Sequence, residues 1–457
     1  MLYTCLNYNF ITSNIKKNYY KIQQQNSINN LKCYHCFGSL LKIYNKYYLF
    51  ITTNKDDFNT HPITIKCLSS IDGIIFYSEQ TINNINLKAI CNNFIITYIN
   101  NTYLLIGGRH CEKIIQEKHN NNNCNCKNTN YHPRIYPPFK LDQDNQFYNN
   151  GKGTLPFIND NFLHKCFMNG IYCFTSSNMN NWKLLIEKPI ISGLDEGIND
   201  SVFGAATFDS QNTIIFDDIT QMYYFYCRNN IKKNGRFIQY STSTDLINWN
   251  PFKNIINKTF DFESDNYYSP NFFKYPNSNF YIGLITSRNL SKNKSYLSLL
   301  TSSNLIEWQN ISNILDFNGS NNYLLFDKNI AYNGMCLSPD NTEFYFYLIH
   351  NFESGGLWYR YSIRKDGFIS LQNDNNLKEG IIKLNELVKI NNIILNYKTF
   401  NNGYIILELT ENDSILYTTK LIGNNTNYAI TIPIELHNKY LLLTMKLYNS
   451  EFYSIDI

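Results

Sequence analysis

The chain has 457 residues, 43% hydrophobic and 16% aromatic, so it is long enough to bury large cores and to form more than one domain. Its formal charge of +4 is small for this length and indicates neither nucleic-acid binding nor attraction to an anionic membrane. No run of 18 apolar residues is present, so no membrane-spanning helix is expected. The many Tyr, Phe and Ile residues favour β-strands.

The start of the chain and its cysteines bear on the compartment. Residues 1–12 lack a basic start and are interrupted by Asn7 and Asn9, so a signal peptide is not expected. The twelve Cys residues are scattered through predicted strands, which favours free thiols in a reducing compartment such as the cytoplasm. The excess of Asn, Lys, Ile and Tyr is typical of an AT-rich genome and explains composition rather than function.

A short phrase occurs four times along the chain. Each copy has an apolar strand end, a pair of Ser or Thr residues, a turn built on Asn, Asp or Gly, and a large aromatic residue that opens the next strand. The copies lie at residues 68–76, 174–182, 240–249 and 300–308. Phe76, Trp182, Trp249 and Trp308 occupy the aromatic place. A large ring at a repeated register normally belongs to a core, so these residues are predicted to pack between neighbouring sheets and to have no ligand role.

An aromatic-rich strand raises the number of repeats to five. Each copy follows another apolar strand across a short polar turn. The copies lie at residues 44–50, 103–107, 222–227, 280–285 and 344–349. Five units of this kind predict an all-β fold, a five-bladed β-propeller, which leaves only short and protected sheet edges.

The repeats and the pattern after them set the predicted domains. Residues 1–30 are an N-terminal lead or a strand that closes the ring, and residues 31–372 are the propeller. Blade two carries an Asn-rich insertion at about residues 110–165. Residues 376–457 have shorter alternating strands separated by Asn- and Gly-rich turns, which predict a small β-sandwich.

The propeller pattern gathers polar residues from distant parts of the chain. In each blade the innermost strand and its neighbour are antiparallel, so the start of the first and the end of the second lie on the same face. We expect a polar funnel over the axis at this face. Its candidate ligand-binding residues are Asn93, Arg109, Gln211, Asn212, Arg228, Tyr268, Arg288, His350 and Glu353, and its candidate catalytic residues are Asp209 and Asp265.

Asp209 is the strongest candidate, and two interpretations of it remain open. A carboxylate directly before an apolar strand can orient a substrate hydroxyl or stabilise a transition state of oxocarbenium character. It can equally cap a turn and pair with Arg228.

A zinc site is a further hypothesis. Possible ligands are present at Cys33, Cys36, His110, Cys111, His119, Cys124, Cys126 and His132. Only one residue separates Cys124 from Cys126, however, whereas structural zinc sites usually have two or more at this place. No metal and no cofactor is therefore predicted.

Several of these motifs resemble one protein family. They lie at residues 89–94 (AICNNF), 170–177 (GIYCFTSS), 208–212 (FDSQN), 224–228 (YFYCR), 265–271 (DNYYSPN) and 364–371 (RKDGFISL). The chain from about residue 31 to the C-terminus resembles the glycosyl hydrolase family 32 N-terminal-like proteins. This resemblance implies the five-bladed propeller of glycoside hydrolase families 32 and 43, followed by a β-sandwich.

The resemblance also implies three acidic residues, of which it supports one. Asp209 matches the aspartate of an Arg-Asp-Pro motif in the third blade, which binds substrate hydroxyls and stabilises the transition state. Residues 35–38 have no carboxylate where the nucleophile or base would lie, and residues 267–270 lack the general-acid Glu. Glycosidic cleavage ordinarily needs an acid and a second carboxylate. Asp265 and Glu353 are the candidates to replace the missing groups.

Three functions are consistent with these observations. The chain is a glycoside hydrolase-like enzyme centred on Asp209, a non-catalytic glycan-binding protein, or a propeller that serves as a protein-interaction platform. The set of Arg109, Arg228, Arg288 and His350 favours an acidic sugar in the first two cases, because Arg recognises carboxylates through two hydrogen bonds. The sequence favours a carbohydrate ligand, with hydrolysis somewhat ahead of binding alone.

Overall fold

The computed structural model of the chain describes most of its strands. The described residues are 2–8, 10–20, 27–33, 38–52, 65–82, 94–109, 170–186, 190–192, 211–232, 235–261, 265–276, 278–289, 291–292, 294–317, 329–331, 334–350, 356–373 and 378–457. In these ranges nearly all regular structure is β, and no helix is long and apolar enough to cross a membrane. The most N-terminal strands are β1 (Leu2–Thr4), β2 (Ile11–Ser13), β3 (Ile15–Tyr19) and β4 (Ser27–Cys33).

Five antiparallel sheets follow, and they are the blades of a propeller. Blade one contains β5 (Ser39–Ile43), β6 (Lys46–Thr52), β7 (Ile65–Ser70) and β8 (Tyr77–Ile82). Blade two contains β9 (Ile95–Ile99), β10 (Thr102–Arg109), β11 (Gly170–Ser176), β12 (Lys183–Leu184) and β13 (Ile191–Ser192). Blade three contains β14 (Thr213–Asp217), β15 (Met222–Lys232), β16 (Gly235–Ser243) and β17 (Lys253–Asn254).

Blades four and five complete the ring. Blade four contains β18 (Asp265–Ser269), β19 (Phe272–Lys274), β20 (Tyr281–Asn289), β21 (Lys294–Ser302) and β22 (Gln309–Phe317). Blade five contains β23 (Asn329–Ala331), β24 (Cys336–Leu337), β25 (Glu343–His350) and β26 (Gly356–Arg364), and β4 pairs with β26 as its outer strand. The ring therefore closes with a strand from the other end of the chain, and the predicted five-bladed fold is confirmed.

The inner strands of neighbouring blades contact one another around the axis. Contacts join β5 to β9, β9 to β14, β14 to β19, and β24 back to β5, while blades four and five also meet through β20 and β23. Aromatic and aliphatic side chains fill the spaces between the sheets; among them Trp182 and Trp308 are buried and Trp249 is half-buried. The predicted core role of the repeated aromatic residues is thus confirmed, with Trp249 the least enclosed.

The repeated phrase forms the same turn in blades one to four. The Ser hydroxyl accepts the N–H of the Asx two residues later, and the Asx Oδ1 accepts the next exposed N–H groups, as Asp245 does from Ile247 and Asn248 at 2.8 Å each. The residue after the Asx is left-handed: Gly73, Met179, Leu246 and Leu305 have φ of 69°, 62°, 66° and 65°. Three of them carry side chains whose burial offsets the cost of this conformation, about 1–2 kcal/mol.

The Trp that closes the phrase caps this turn. Its ring N–H donates to the carbonyl of the left-handed residue three positions earlier, at 2.7 Å for Trp182 and Met179, 3.1 Å for Trp249 and Leu246, and 3.3 Å for Trp308 and Leu305. In blade one, where Phe76 has no such donor, the Gly73 carbonyl accepts instead from the Tyr347 hydroxyl of blade five at 2.5 Å. The same carbonyl thus joins the first and last blades.

Replacing Trp182 by Phe is expected to lower the free energy of unfolding by about 1–3 kcal/mol, because the Met179 carbonyl loses the closer of its two donors, keeping only the Gln80 amide at 3.2 Å, and the smaller ring leaves a void. Trp249→Phe is the matched control. Its ring is only half-buried, so the same change there should cost clearly less. Urea unfolding of both variants measures the difference, and equal losses would contradict the capping role.

The carboxylates in these turns make the stability of the fold depend on pH. Hydrogen bonds from the backbone of Asn248 and Ile247 lower the pKa of Asp245 to about 2, while Asn178 and Asn304 occupy the same place in blades two and four without a charge. A carboxyl group whose pKa is lower in the folded state stabilises the fold at pH values above about 4, which is its pKa in the unfolded chain. This stabilisation is lost as the pH falls toward 2. Asp245→Asn keeps the acceptor oxygen but removes the titration.

The difference in melting temperature between wild type and Asp245→Asn is therefore expected to be largest near neutral pH and to vanish near pH 2. Other turn carboxylates with lowered pKa, Asp72 and Asp340, remain in both proteins and cancel in the comparison. Thermal melts across this pH range measure the difference. A gap that does not change with pH would contradict the linkage.

A β-sandwich follows the propeller. Its strands are β27 (Ile369–Asn373), β28 (Gly380–Lys383), β29 (Val388–Lys389), β30 (Ile393–Glu411), β31 (Ser414–Leu421), β32 (Asn424–Ile430) and β33 (Tyr440–Asp456), with a short 3-10 helix at Ile434–Leu436. β30 and β33 are long enough to bend and to contribute to both layers. The sandwich predicted from the alternating pattern is confirmed.

Each half of the bent pair β30 and β33 organises one layer. β31, the second half of β30, the first half of β33, β28 and β2 form the first layer. β32, the first half of β30, the second half of β33, β27 and β3 form the other, and β1 also pairs with β33. At the bend, a Cβ at Gly403 would lie 2.1 Å from the Asn449 carbonyl oxygen, so this position requires glycine.

A polar junction joins the last blade to the sandwich. Arg364, at the end of β26, donates to Asn396 Oδ1, Asn424 Oδ1, and the carbonyls of Tyr397 and Asn425 over 2.6–2.9 Å. The buried Asp366 carboxylate accepts from Tyr275 of blade four and from Ser454 of β33. The two parts are therefore held together by directional bonds as well as by a shared apolar core.

Candidate functional site

The antiparallel register brings the predicted polar residues to one face of the ring. Thr213 pairs with Tyr226, so Arg228 extends beyond the start of β14 to the level of Gln211. Asp265 and Asn266 pair with Asn289 and Arg288 in the same way. Arg109 and His350 are the last residues of β10 and β25, at the corresponding ends of their blades.

The described chain does not include every predicted site residue. Asp209, Asn93 and Glu353 lie outside the described residues, as do all the possible metal ligands of the insertion from His110 to His132. Within the described ranges no group of three or more His, Cys, Asp and Glu is arranged to hold a metal ion. The candidate site is therefore built from Gln211, Asn212, Arg228, Tyr268 and their neighbours.

Hydrogen bonds between blades hold this face together near the axis. The amide nitrogen of Gln211 donates to the Gly38 carbonyl at 2.9 Å and so links blade three to blade one across the ring. The Ser39 hydroxyl accepts the N–H of Ile96 at 2.7 Å, and the Thr213 hydroxyl donates to the Pro270 carbonyl at 2.9 Å. Gln211 is fully buried, so its position is fixed by the fold.

Asn212 differs from Gln211 because its bonding capacity is unused. It is fully buried, and among the described residues neither its amide nitrogen nor its oxygen has a hydrogen-bond partner. The hydroxyl of Ser269, also buried, has none within the described part of the chain. The bond between Thr213 and Pro270 brings their segments to the same level. An unsatisfied buried amide costs about 1–3 kcal/mol, which a bound molecule can recover.

Tyr268 is the aromatic centre of the site. It is the extra residue of a β-bulge, since Tyr267 pairs with Ser287 and Ser269 with Thr286. The Arg228 guanidinium carbon lies 5.7 Å from the centre of its ring, and that of Arg236 lies 4.6 Å away. Two cations of blade three are thus held against one aromatic ring of blade four.

Arg236 was not among the predicted site residues. It is the second residue of β16, in the hairpin that follows Arg228, and its N–H donates to Asn266 Oδ1 at 2.6 Å. The signal was available in the sequence. The start of a blade's third strand, like the end of its second, lies on the same face as the start of the innermost strand.

Asp265 is held within its own blade. Its Oδ1 accepts from the amide of Asn289 at 2.7 Å, and its Oδ2 accepts the N–H of Asp261 at 3.2 Å. The side chain is half-buried. Both carboxylate oxygens are thus engaged within the protein, whereas a general acid must direct a proton at the leaving group.

The Tyr267 hydroxyl and the Cys227 thiol near the site are neutral. Burial, reinforced by the Asp265 carboxylate, raises the pKa of Tyr267, and its hydroxyl accepts from Asn257 at 3.0 Å. Burial likewise raises the pKa of the Cys227 thiol beside Arg228, so this thiol is a poor nucleophile. Cys5, Cys67, Cys173 and Cys336 are also buried, and in the described part of the chain no cysteine forms a disulfide.

Comparison with known proteins gives likeness in fold at low identity. No family model and no curated protein matches the sequence. An arabinoxylan arabinofuranohydrolase of glycoside hydrolase family 43 from Bacillus subtilis, bound to cellotetraose, is 11% identical, with 94% of this chain and 96% of that one covered and a TM-score of 0.44. An exo-β-1,3-galactanase from Phanerochaete chrysosporium, with galactose, is 9% identical, with coverage of 95% and 99% and a TM-score of 0.40.

An endo-arabinase from Bacteroides thetaiotaomicron is similar over a shorter part of the chain. It is 9% identical, with 75% of this chain and 97% of that one covered and a TM-score of 0.43. At such identities and scores, function has to be inferred from this chain's own residues.

The described site supplies mainly donors and positive charge. Arg228, Arg236 and Arg288 lie at this face with the amide of Asn212, and Asp265 is the described carboxylate. Such a set binds hydroxyl and carboxylate oxygens and stabilises negative charge.

Proposed function

We propose that the protein binds a glycan that carries an acidic group at the propeller face around Asn212, Arg228, Arg236 and Tyr268. Two observations carry the proposal: two guanidinium groups are fixed against the Tyr268 ring, and at the same end of the blades the buried Asn212 amide has hydrogen-bonding capacity that the described residues leave unused. A sugar offers hydroxyls for the amide, and its carboxylate offers two oxygens for a guanidinium.

The chemistry of arginine supports the acidic group. A guanidinium matches a carboxylate through two parallel hydrogen bonds, and such bonds are roughly twice as strong as neutral ones. Arg228 and Arg236 lie over the ring of Tyr268, and we propose that the N–H groups of their guanidinium ends bind the carboxylate. In this proposal Arg288, Arg109 and His350 form a wider cationic rim, and Asn93 and Glu353 are further candidates to contact the sugar.

Hydrolysis is the second candidate function, and it depends on Asp209. A glycosidase needs one protonated acid and one carboxylate on either side of the scissile bond. Both oxygens of Asp265 already accept hydrogen bonds, from Asn289 and Asp261, so this carboxyl group is poorly placed to act as the acid. If the protein cleaves its glycan, Asp209 is the residue that we expect to take part directly.

The experiment compares wild type with Asp209→Asn on a panel of oligosaccharides that includes uronic-acid and sialylated ones. Binding is followed by calorimetry and sugar release by chromatography. Binding of an acidic member by both proteins supports the proposal, and release by wild type alone adds hydrolysis to it. Absence of binding to every oligosaccharide, with folded protein, would reject the glycan proposal for the sugars tested and favour a protein-interaction propeller.

A further inference from the structure

The opposite face of the ring carries an exposed apolar patch on blade one, formed by Tyr44, Ile71, Ile74, Ile75 and Tyr77. Their exposed fractions are 92%, 78%, 44%, 46% and 68%. We call these five residues the blade-one patch. It lies where β5 and β7 end, whereas the candidate site lies where the inner strands begin. The patch therefore has no part in the proposed glycan site.

The pairing of blade one brings the five residues together. β5, β6, β7 and β8 are consecutive neighbours, and Tyr47 pairs with Ser70. The β5–β6 turn at Tyr44 and the β7–β8 turn at Ile71 to Ile75 are thus two strand spacings apart, about 10 Å. Large side chains on turns at this distance form one continuous surface.

The other blades provide an internal comparison, because the same turn recurs in them. The position of Ile71 is occupied by Ser177, Thr244 and Ser303 in blades two, three and four. The position of Ile75 is occupied by Asn181, Asn248 and Glu307, and that of Tyr77 by Lys183, Asn250 and Gln309. The turn itself does not require apolar residues at these positions, so their presence in blade one alone needs another cause.

We propose that the blade-one patch is a two-fold interface between two copies of this chain. An exposed tyrosine presents about 200 Å², so the whole patch presents on the order of 500 Å², near the upper end of what monomers expose. A standard interface buries about 800 Å² per partner, of which about 65% is apolar in homodimers. The patch therefore supplies about the apolar area that one side of such an interface needs.

The charges beside the patch fit a contact between identical surfaces. Lys46 lies beside Ile71 across the β6–β7 pair, and Asp72 lies within the turn. A two-fold axis brings the same surface of the two copies together in opposite orientations. Lys46 of one copy therefore approaches Asp72 of the other. The chain's small net charge adds little repulsion.

The test gives blade one the residues of blade two. The triple variant is Ile71→Ser, Ile75→Asn, Tyr77→Lys, which introduces the residue types found at the matching positions of blade two, Ser177, Asn181 and Lys183. All three replaced side chains are exposed, so folding should be unaffected. Ile219→Asn is the matched control, because Ile219 is also exposed on a turn of this face, in blade three. Light scattering coupled to size-exclusion chromatography gives the mass of each protein over a hundredfold range of concentration.

We expect wild type and Ile219→Asn to have the mass of two chains at the highest concentration, and the triple variant to have the mass of one, with the melting behaviour of a folded monomer. Wild type that stays a monomer at every concentration would overturn the proposal and leave the patch to a different protein. A triple variant that still dimerises, or a control that loses the dimer equally, would also overturn it.

Discussion

Arg364→Ala is expected to lower the free energy of unfolding by about 3–5 kcal/mol, among the largest effects for a residue of partial exposure. Its guanidinium donates to four acceptors of the sandwich, at Asn396, Tyr397, Asn424 and Asn425, and lies 4.6 Å from the ring of Tyr453. A hydrogen bond to a charged group contributes about 1.5–3 kcal/mol, less where solvent reaches it. Loss of the forked guanidinium group also leaves the Tyr397 carbonyl without this donor.

We expect this loss of contacts to make the propeller and the sandwich unfold in separate transitions. The four Trp residues, Trp182, Trp249, Trp308 and Trp358, are all in the propeller, so tryptophan fluorescence reports the propeller and circular dichroism reports both parts. Urea transitions by the two probes should coincide in wild type and diverge in Arg364→Ala.

Two variants serve as controls for Arg364→Ala. Arg364→Lys keeps the charge but cannot form the fork, so an intermediate loss is expected. Lys365→Ala removes one exposed bond to Asn427 and should change the free energy of unfolding by less than about 1 kcal/mol. An Arg364→Ala protein as stable as Lys365→Ala would contradict the anchoring role.

Tyr268→Ala is expected to weaken glycan binding by about a hundredfold, which corresponds to about 2.7 kcal/mol. The ring holds the guanidinium groups of Arg228 and Arg236, and each cation–π contact contributes about 0.5–2 kcal/mol. Without the ring the two side chains must be ordered by the ligand, which costs further free energy. Calorimetric titration with the glycan that wild type binds measures the change.

Tyr268→Phe is the control because it keeps the ring and removes only the hydroxyl, so its affinity should stay within about threefold of wild type. Since Tyr268 is buried, Arg236→Gln at a half-buried position provides a variant that is less demanding for folding, with an expected loss of about tenfold. A folded Tyr268→Ala protein with wild-type affinity would show that the ring does not organise the site.

The repeats made the fold predictable. An Asx turn and an aromatic residue at a constant spacing are local features that mark four blades, and the aromatic-rich strand, which occurs five times, adds the fifth. The left-handed backbone conformation of Met179, Leu246 and Leu305 was not predictable, because apolar residues rarely adopt this conformation. The Trp ring N–H that stabilises them comes from three residues later.

Pairing between distant strands was harder to predict. β4 closes the ring, and β1, β2 and β3 join the sandwich, yet the first 33 residues carry little pattern of their own. Their partners lie more than 300 residues away. Such register is set by tertiary packing and not by local propensity.

The level of the candidate site's polar residues along the strands was predictable, but their contacts were not. The antiparallel rule correctly brought Arg228 to the level of Gln211 and Arg288 beside Asn266. It could not show that Gln211 spans the ring to Gly38, that Asp265 is bound within its own blade, or that Arg236 completes the pair on Tyr268. These facts depend on side-chain directions in three dimensions.

The most direct test of the central claim is the affinity of wild-type protein for two matched oligosaccharides, one with a uronic acid and one with the same sugar reduced to the neutral alcohol. Calorimetry gives both dissociation constants. Arginine recognition at Arg228 and Arg236 predicts that the acidic oligosaccharide binds at least about tenfold more tightly. Equal affinity, tighter binding of the neutral sugar, or no binding of either would contradict an acidic glycan as the ligand of this face.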